Sequence, residues 1–423
     1  MTRAHTLLLL SALYLAQGLP YGFFTQALPV LMREAGYSLV TIGATSFLFL
    51  PWALKFLWAP YVDHYGTRKR WLLPLQLAAA GGAALLATLE FSESLRLVFV
   101  ALVIFNLLAA TQDIATDGLA VTLLGPRERG LGNGIQVGGY RLGMVLGGGL
   151  LLWIYSVAGW QLMFVGMAAL LLLTLLPVLG LREPPRQPAA AHPGALRVAG
   201  GWWQRLRQPG VPLFLALISF YKFGDSMGAA LVGPFMKDAG VTTAQIALIK
   251  GTLASASALA GAAIGGWLAW SWGRRRALLA GGIAQTLSLL MYALAALQLG
   301  GADFNFGLIV SACIAEHVLG GIATVALFTL MMDASDVEHA GTDYTLLACT
   351  VAVAQGLASL SAGVIAQLFG YPVMFGLSVL LSAAGAALLL VALDRGTGPA
   401  RLATVWPSRR QKPVKPGPGA VAG

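Results

Sequence analysis

The chain has 423 residues, of which 57% are hydrophobic and only 10% charged, and its formal net charge is +10. A soluble globule carries about 25% charged residues, so this composition excludes a water-soluble enzyme or binding module and makes lipid the solvent for most of the surface. The two cysteines, Cys313 and Cys349, fall inside apolar stretches and give neither a disulfide framework nor a metal-ligand spacing.

A bilayer core about 30 Å thick takes roughly 20 apolar residues per helix. Such runs predict twelve spans, at 7–31, 40–62, 71–90, 96–123, 131–157, 160–181, 209–235, 243–268, 277–298, 304–332, 343–369 and 371–393. All should be helices, because an open sheet leaves backbone groups unsatisfied in lipid. The first run outlasts the apolar core of a secretory signal, about 7–15 residues. It ends in Arg33-Glu34 rather than a small-residue cleavage site, and is read as span one.

Along span one, Tyr14, Gln17, Tyr21 and Thr25 form a polar stripe at helical spacing. Pro20, between Gly18 and Gly22, should loosen the helix there and turn backbone groups toward a cavity. Span two carries Lys55, and the loop after it reads Asp63-His64-Tyr65-Gly66-Thr67-Arg68-Lys69-Arg70. Span four holds Asp113 and Asp117, four apart on one helix face. Lys55 and Arg141 in span five are their expected counter-ions. A charge at the centre of a span costs at least about 2.5–3.5 kcal/mol, so each needs a partner or a wet cavity. Two readings stay open for the acidic pair: a carboxyl that takes up a proton during transport, or a permanent ion-pair network.

Residues 182–208 are rich in Pro, Ala and Arg and read as a linker, ending in Trp202-Trp203-Gln204-Arg205-Leu206-Arg207, which suits a short interfacial helix. Span seven contains Tyr221, Lys222 and Asp225, assigned with Glu316 of span ten to the substrate cavity. His317 beside Glu316 is a candidate proton relay, although adjacent side chains point about 100° apart on a helix. Asp333, Asp336, Glu338 and Asp343 cluster between spans ten and eleven, within reach of the basic loops. The Pro-, Gly- and Arg-rich tail, 395–423, is expected to be disordered.

Of the 27 lysines and arginines, this topology puts twenty on one side, three on the other and four inside spans. Positive charge stays on the cytoplasmic side. Both termini and the linker should therefore be cytoplasmic, and the net charge implies no nucleic-acid partner.

The chain also contains itself twice. Leu31-Met32-Arg33-Glu34-Ala35-Gly36 matches Phe235-Met236-Lys237-Asp238-Ala239-Gly240 at an offset of 204, and the glycines of Tyr65-Gly66 and Trp272-Gly273 match at 207. Gly130 matches Gly341, and Trp160 matches Tyr371, both at 211. Six spans per copy give both copies one orientation, a parallel repeat. The predicted domains are an N-terminal six-helix bundle over 1–181, the cytoplasmic linker, a C-terminal bundle over 209–394 and the tail.

The Asp63 to Arg70 loop resembles the signature of the major facilitator superfamily. That resemblance implies an all-α fold of two six-helix bundles and a cytoplasmic gate made by Asp63, Gly66, Arg68, Lys69 and Arg70. The second copy has Trp270 where the Asp would stand, so its cluster, Arg274 to Arg276, is read as topology alone. Gln17-Gly18-Leu19-Pro20-Tyr21-Gly22, Pro51-Trp52-Ala53-Leu54-Lys55-Phe56-Leu57-Trp58-Ala59-Pro60, Thr111-Gln112-Asp113-Ile114-Ala115-Thr116-Asp117 and Gly139-Tyr140-Arg141-Leu142-Gly143 are similar to one branch of that superfamily. The branch includes AmpG-type muropeptide permeases and RhtX/FptX-type siderophore importers, and span one resembles the siderophore importers more closely.

No ATP-binding loop, nucleophile elbow or cofactor motif stands out. The expectation is a non-enzymatic, monomeric secondary transporter of the cytoplasmic (inner) membrane that imports a siderophore, with protons as the candidate coupling ion. A muropeptide permease is the alternative, and a transporter-like sensor or an intramembrane transferase belongs to other classes.

Overall fold

A computed structural model describes residues 3–28, 31–32, 48, 50–89, 95–181, 183, 200–242, 245–246, 248–298 and 305–406. The first part of predicted span two, most of the linker and the end of the tail lie outside the described residues. Those described form helices joined by short turns, with no strand among them.

Nine described helices are long and apolar enough to cross a bilayer, and two of these, of 51 and 55 residues, double back on themselves. The turns are Gly159 (φ 79°) and Gly370 (φ 82°). Positive φ is nearly free for glycine and costly with a Cβ, so one residue reverses the chain. These glycines stand 211 apart, the offset of Trp160 and Tyr371 beside them.

Span one is Arg3–Gly22 and a π-helical turn, Phe23–Ala27. The loosening expected at Pro20 thus takes the form of a π-turn just beyond it. Of span two, the described part is broken into Leu50–Leu54, Lys55–Leu57 and Ala59–His64. Spans three and four are Arg68–Ala87 and Leu95–Leu123. Span five is Arg129–Val145 with a π-turn, Leu146–Leu150, and runs on to the Gly159 turn; span six completes Leu151–Leu179. Span seven is Val211–Ala230 with Val232–Asp238, span eight Leu248–Leu253 with Ala254–Ser271, span nine Arg274–Leu297 and span ten Phe306–Ala334. Spans eleven and twelve share Ala340–Asp394. These make two six-helix bundles. Large apolar side chains such as Trp153, Leu176, Leu360 and Leu380 are exposed on their outer surface, as acyl chains require.

Small residues let the helices close up. A Cβ at Gly18 or Gly147 would strike the backbone of Tyr140 or Leu19, which brings spans one and five into contact. Gly265 lies against Ile322 of span ten, and Gly266 against Gly130 and Gly134 of the opposite bundle. A Cβ at Gly266 would stand 3.1 Å from the Gly130 oxygen and from the Gly134 Cα. Gly266→Leu is therefore expected to wedge span eight from span five and lengthen a spin-label distance between them near Gly134; an unchanged distance distribution would refute this packing.

The linker helix, Gly201–Leu206, forms where the aromatic-basic segment predicts it. The tail departs from expectation. It is ordered to Trp406, with a 3-10 turn at Ala400–Thr404, because Leu402 and Trp406 bury their side chains and the Trp406 indole donates to Asp394 (3.1 Å).

Candidate functional site

The bundles meet at the end that carries Arg3, Arg68, Arg129 and Arg274, the basic end. Asp63 ends span two there. Its carboxylate accepts the backbone N–H of Gly341 (3.0 Å), the N–H and hydroxyl of Thr342, and the guanidinium of Arg68. The charge sits at the N-terminus of span eleven, where the helix dipole favours an anion. Gly118 of span four leaves room for Arg68: a Cβ there would stand 2.7 Å from its Nη2. Gly66 (φ 75°) turns the loop, and Lys69 donates to the carbonyls of Leu179 (2.6 Å) and Leu181 (3.3 Å). Arg70 is exposed and belongs to no ion pair among the described residues, so of the predicted gate cations only Arg68 pairs with the carboxylate.

The second basic cluster is more than topology. Asp333, fully buried, takes Arg129 from one bundle (2.9 Å) and Arg274 from the other (2.5 Å). Arg274 also donates to the Pro126 carbonyl across the seam. Trp270, at the repeat position of Asp63, packs against Gly130, the repeat partner of Gly341. The same junction is thus built twice, once by charge and once by close packing. Arg205 of the linker helix grips Asp343 with two bonds of 2.6 Å, and Trp202 meets Phe56 of span two edge to face (5.2 Å), so the linker bridges both bundles. Asp336 lies near both Arg205 (3.6 Å) and Arg401 (3.3 Å).

A layer of buried charge lies one step further in. Asp113 is ten residues from the end of span four, about 15 Å along the axis. Lys55 forms an ion pair with Asp113, both nearly buried. The Trp-rich string of span two holds this geometry: the Trp52 indole donates to Asn106 and the Trp58 indole to Thr111, each at 3.1 Å, which ties span two to span four on either side of Lys55. Asp117 accepts Tyr14 Oη (3.0 Å) and Gln136 Nε2 (3.1 Å), and no cation bonds it among the described residues. Tyr344 of the other bundle donates to Gln136 (3.1 Å). A hydrogen-bonded chain therefore runs from the seam through Gln136 to Asp117.

Arg141, expected as a counter-ion, pairs with neither aspartate. It follows Gly130, Gly134 and Gly138 on the face toward span eight and is half-exposed, lying instead near Tyr21 and Tyr140. The span-one stripe shows the same gradient: Tyr14 and Gln17 are buried, Tyr21 is half-buried and Thr25 exposed. Both amide atoms of Gln17 lack a partner among the described residues, while the Thr25 hydroxyl donates to the Tyr21 carbonyl (2.7 Å). The polar contacts described between the bundles all lie between the basic end and the level of Trp52, whose carbonyl accepts Cys349 (3.5 Å).

In the second bundle Lys222 pairs with Asp225 and reaches Thr324 of span ten (3.2 Å). Tyr221, assigned to the cavity, instead lies fully buried in its own bundle with its hydroxyl toward the Leu278 carbonyl (3.5 Å). Glu316 and His317 do meet: side-chain rotation brings Nδ1 within 2.8 Å of Oε2 despite the helical angle between them. The reading of the residues alone missed Gln136, Tyr344 and Thr342, and it placed Asp333 within reach of the basic loops without naming Arg129 and Arg274 as its partners. Only the Gly130–Gly341 match signalled them, by marking both span starts where the bundles touch.

Comparison with known proteins places this geometry. The model of the Major Facilitator Superfamily matches residues 10–348. The chain is similar to the anhydromuropeptide permease of Escherichia coli (strain K12), 31% identical over 389 residues that cover 89% of this chain and 77% of that one. A putative transporter AmpG 4 of Rickettsia conorii is 23% identical, covering 87% and 92%. Among solved structures, the human organic anion transporter MFSD10 shares the fold, with a TM-score of 0.72 at 14% identity, covering 92% of this chain and 100% of that one.

Proposed function

We propose that this chain, which belongs to the Major Facilitator Superfamily, imports an anhydro-muropeptide across the cytoplasmic membrane by alternating access, with its basic end and both termini cytoplasmic. The observation that carries the substrate class is the 31% identity with a permease named for it, kept over 89% of the chain. Span one favours a siderophore, but one segment weighs less than similarity along nearly the whole chain.

The chemistry is compatible. An anhydro-muropeptide offers sugar hydroxyls and peptide carboxylates. The unpartnered amide of Gln17 suits the hydroxyls, and half-exposed Arg141 suits a carboxylate. With the basic end closed, Tyr21 and Arg141 stay half-exposed and Thr25 exposed, so these are the side chains a substrate arriving from the opposite side would meet. Inward opening then requires Asp63 to leave span eleven, the Asp333 bridge to part, and Tyr344 to release Gln136. The last step alters the bonding of Asp117, which gives a route from carboxyl protonation to the seam.

Uptake decides the matter: cells expressing the protein are offered labelled anhydro-muropeptide and labelled ferric siderophore, with and without a proton uncoupler. Accumulation of the muropeptide, abolished by the uncoupler, is expected. Accumulation of the siderophore alone would transfer the assignment to the second reading, and accumulation of neither would defeat both.

A further inference from the structure

Cys313, Glu316 and His317 lie at positions i, i+3 and i+4 of span ten, hence on one helix face. The transport reading above does not use them together. Their donor atoms all fall within 4.8 Å of one another. His317 Nδ1 is 2.8 Å from Glu316 Oε2 and 3.9 Å from Cys313 Sγ. Ligands bound to a tetrahedral ion at 2.0–2.3 Å stand about 3.3–3.8 Å apart, so closing this set on an ion takes side-chain adjustment and release of the bond that His317 Nδ1 donates to the Cys313 carbonyl (2.9 Å).

Tyr292 of span nine supplies a second, independent sign. It is fully buried, its hydroxyl makes no hydrogen bond of ordinary length among the described residues, and its polar neighbours are the Glu316 carboxylate and the Cys313 thiol, to which it makes a weak contact. The cluster therefore has a further buried oxygen beside the Cys313 thiol, held by no strong bond of its own. Glu316 and His317 keep 13% and 17% of their side chains exposed, which leaves a path of entry, whereas Cys313 is closed off behind them.

We propose that Cys313, Glu316 and His317 bind a divalent transition-metal ion of the zinc class, with the fourth position left to water. One sulfur, one imidazole nitrogen and one carboxylate oxygen suit a borderline-soft ion and not magnesium or calcium, which take oxygen ligands alone. The surrounding charge points the same way. Lys222 and Lys250 both act on Glu316; Lys222 is neutralised by Asp225, but Lys250 opposes a cation held by charge alone. A metal–thiolate bond overcomes that opposition, and forming it releases the Cys313 proton.

The test is titration of the purified full-length chain with Co2+, whose bond to a thiolate gives a near-ultraviolet charge-transfer band. A saturable band that Zn2+ displaces is expected. Cys349→Ser should keep it, Cys313→Ser should remove it, and Glu316→Gln or His317→Ala should weaken Co2+ binding at least tenfold. Cys313→Ala replaces Cys313→Ser if the latter is not monodisperse. No band in the native chain, a band that survives loss of Cys313, or a band lost with Cys349 would each overturn the site. Uptake of muropeptide does not enter this readout, so its outcome is independent of the transport assignment.

Discussion

Asp113→Asn is expected to lower gradient-driven accumulation at least a hundredfold while leaving exchange of labelled for unlabelled substrate across a membrane in place. Asp113 is ion-paired with Lys55, both nearly buried and held by the indoles of Trp52 and Trp58. Removing one partner of a buried pair leaves an uncompensated charge and costs about 3–5 kcal/mol. A loss of transport alone would thus fit either of two causes, damage to the fold or loss of coupling. The double variant Lys55→Gln/Asp113→Asn separates them, since it removes both charges and restores neutrality. If the pair is only structural, the double variant recovers accumulation to near the native rate. If Asp113 must exchange Lys55 for a proton in each cycle, accumulation stays absent, exchange persists, and the protein is again stable. Recovery of accumulation would end the reading in which Asp113 takes up a proton during transport and leave it in a permanent ion pair.

The fold was legible because its signals are local or repeated. Apolar runs of helical length, the positive charge at one end and the 211-residue offset are all present in single segments or in pairs of them. Even the hairpin glycines, Gly159 and Gly370, sit beside the matched pair Trp160 and Tyr371. The Asp63 loop was legible from its motif. What the motif could not carry was the acceptor side: Gly341 and Thr342 lie almost 280 residues away. Asp333 was read as within reach of the basic loops, but its two partners, Arg129 and Arg274, stayed hidden for the same reason, and because a run of arginines next to a span satisfies the topology rule without any partner. Arg141 was assigned to the wrong partners because charge count sets neither face nor depth. Its place in the series Gly130, Gly134 and Gly138 turns it to the seam, away from Asp113. Tyr221 was assigned by its place in span seven, and residence on a span does not say whether a side chain faces a cavity or the core of its own bundle. The tail was judged on composition, which says nothing of Leu402 and Trp406 finding a pocket.

Asp63→Asn should shift the protein away from the state closed at the basic end, and lower uptake at least tenfold with yield unchanged. The native carboxylate takes bonds from Arg68, Gly341 and Thr342. Bonds to a charged group contribute about 1.5–3 kcal/mol each, and conformers of such proteins differ by only a few kcal/mol. Asparagine keeps one acceptor but turns an NH2 donor toward N–H groups and the Arg68 guanidinium, where only the Thr342 hydroxyl can accept, so the change removes the charge attraction and costs N–H bonds. Thr342→Val removes a single hydroxyl and should have a smaller effect in the same direction. A spin-label pair across spans two and eleven at the basic end reads this directly, as a longer-distance population that grows from native through Thr342→Val to Asp63→Asn. Native distances in Asp63→Asn would show that the junction does not govern the closed state. Acidity offers a further check. Burial alone would push the Asp63 carboxyl up, but Arg68 and the Thr342 bonds outweigh it and hold it below the usual carboxylate range. A depressed group contributes fully above its unfolded value and loses that contribution only as the pH falls through the lower, folded one. The closed population should therefore stay flat from about pH 8 to about pH 5, so pH dependence of transport in that window does not arise at this junction.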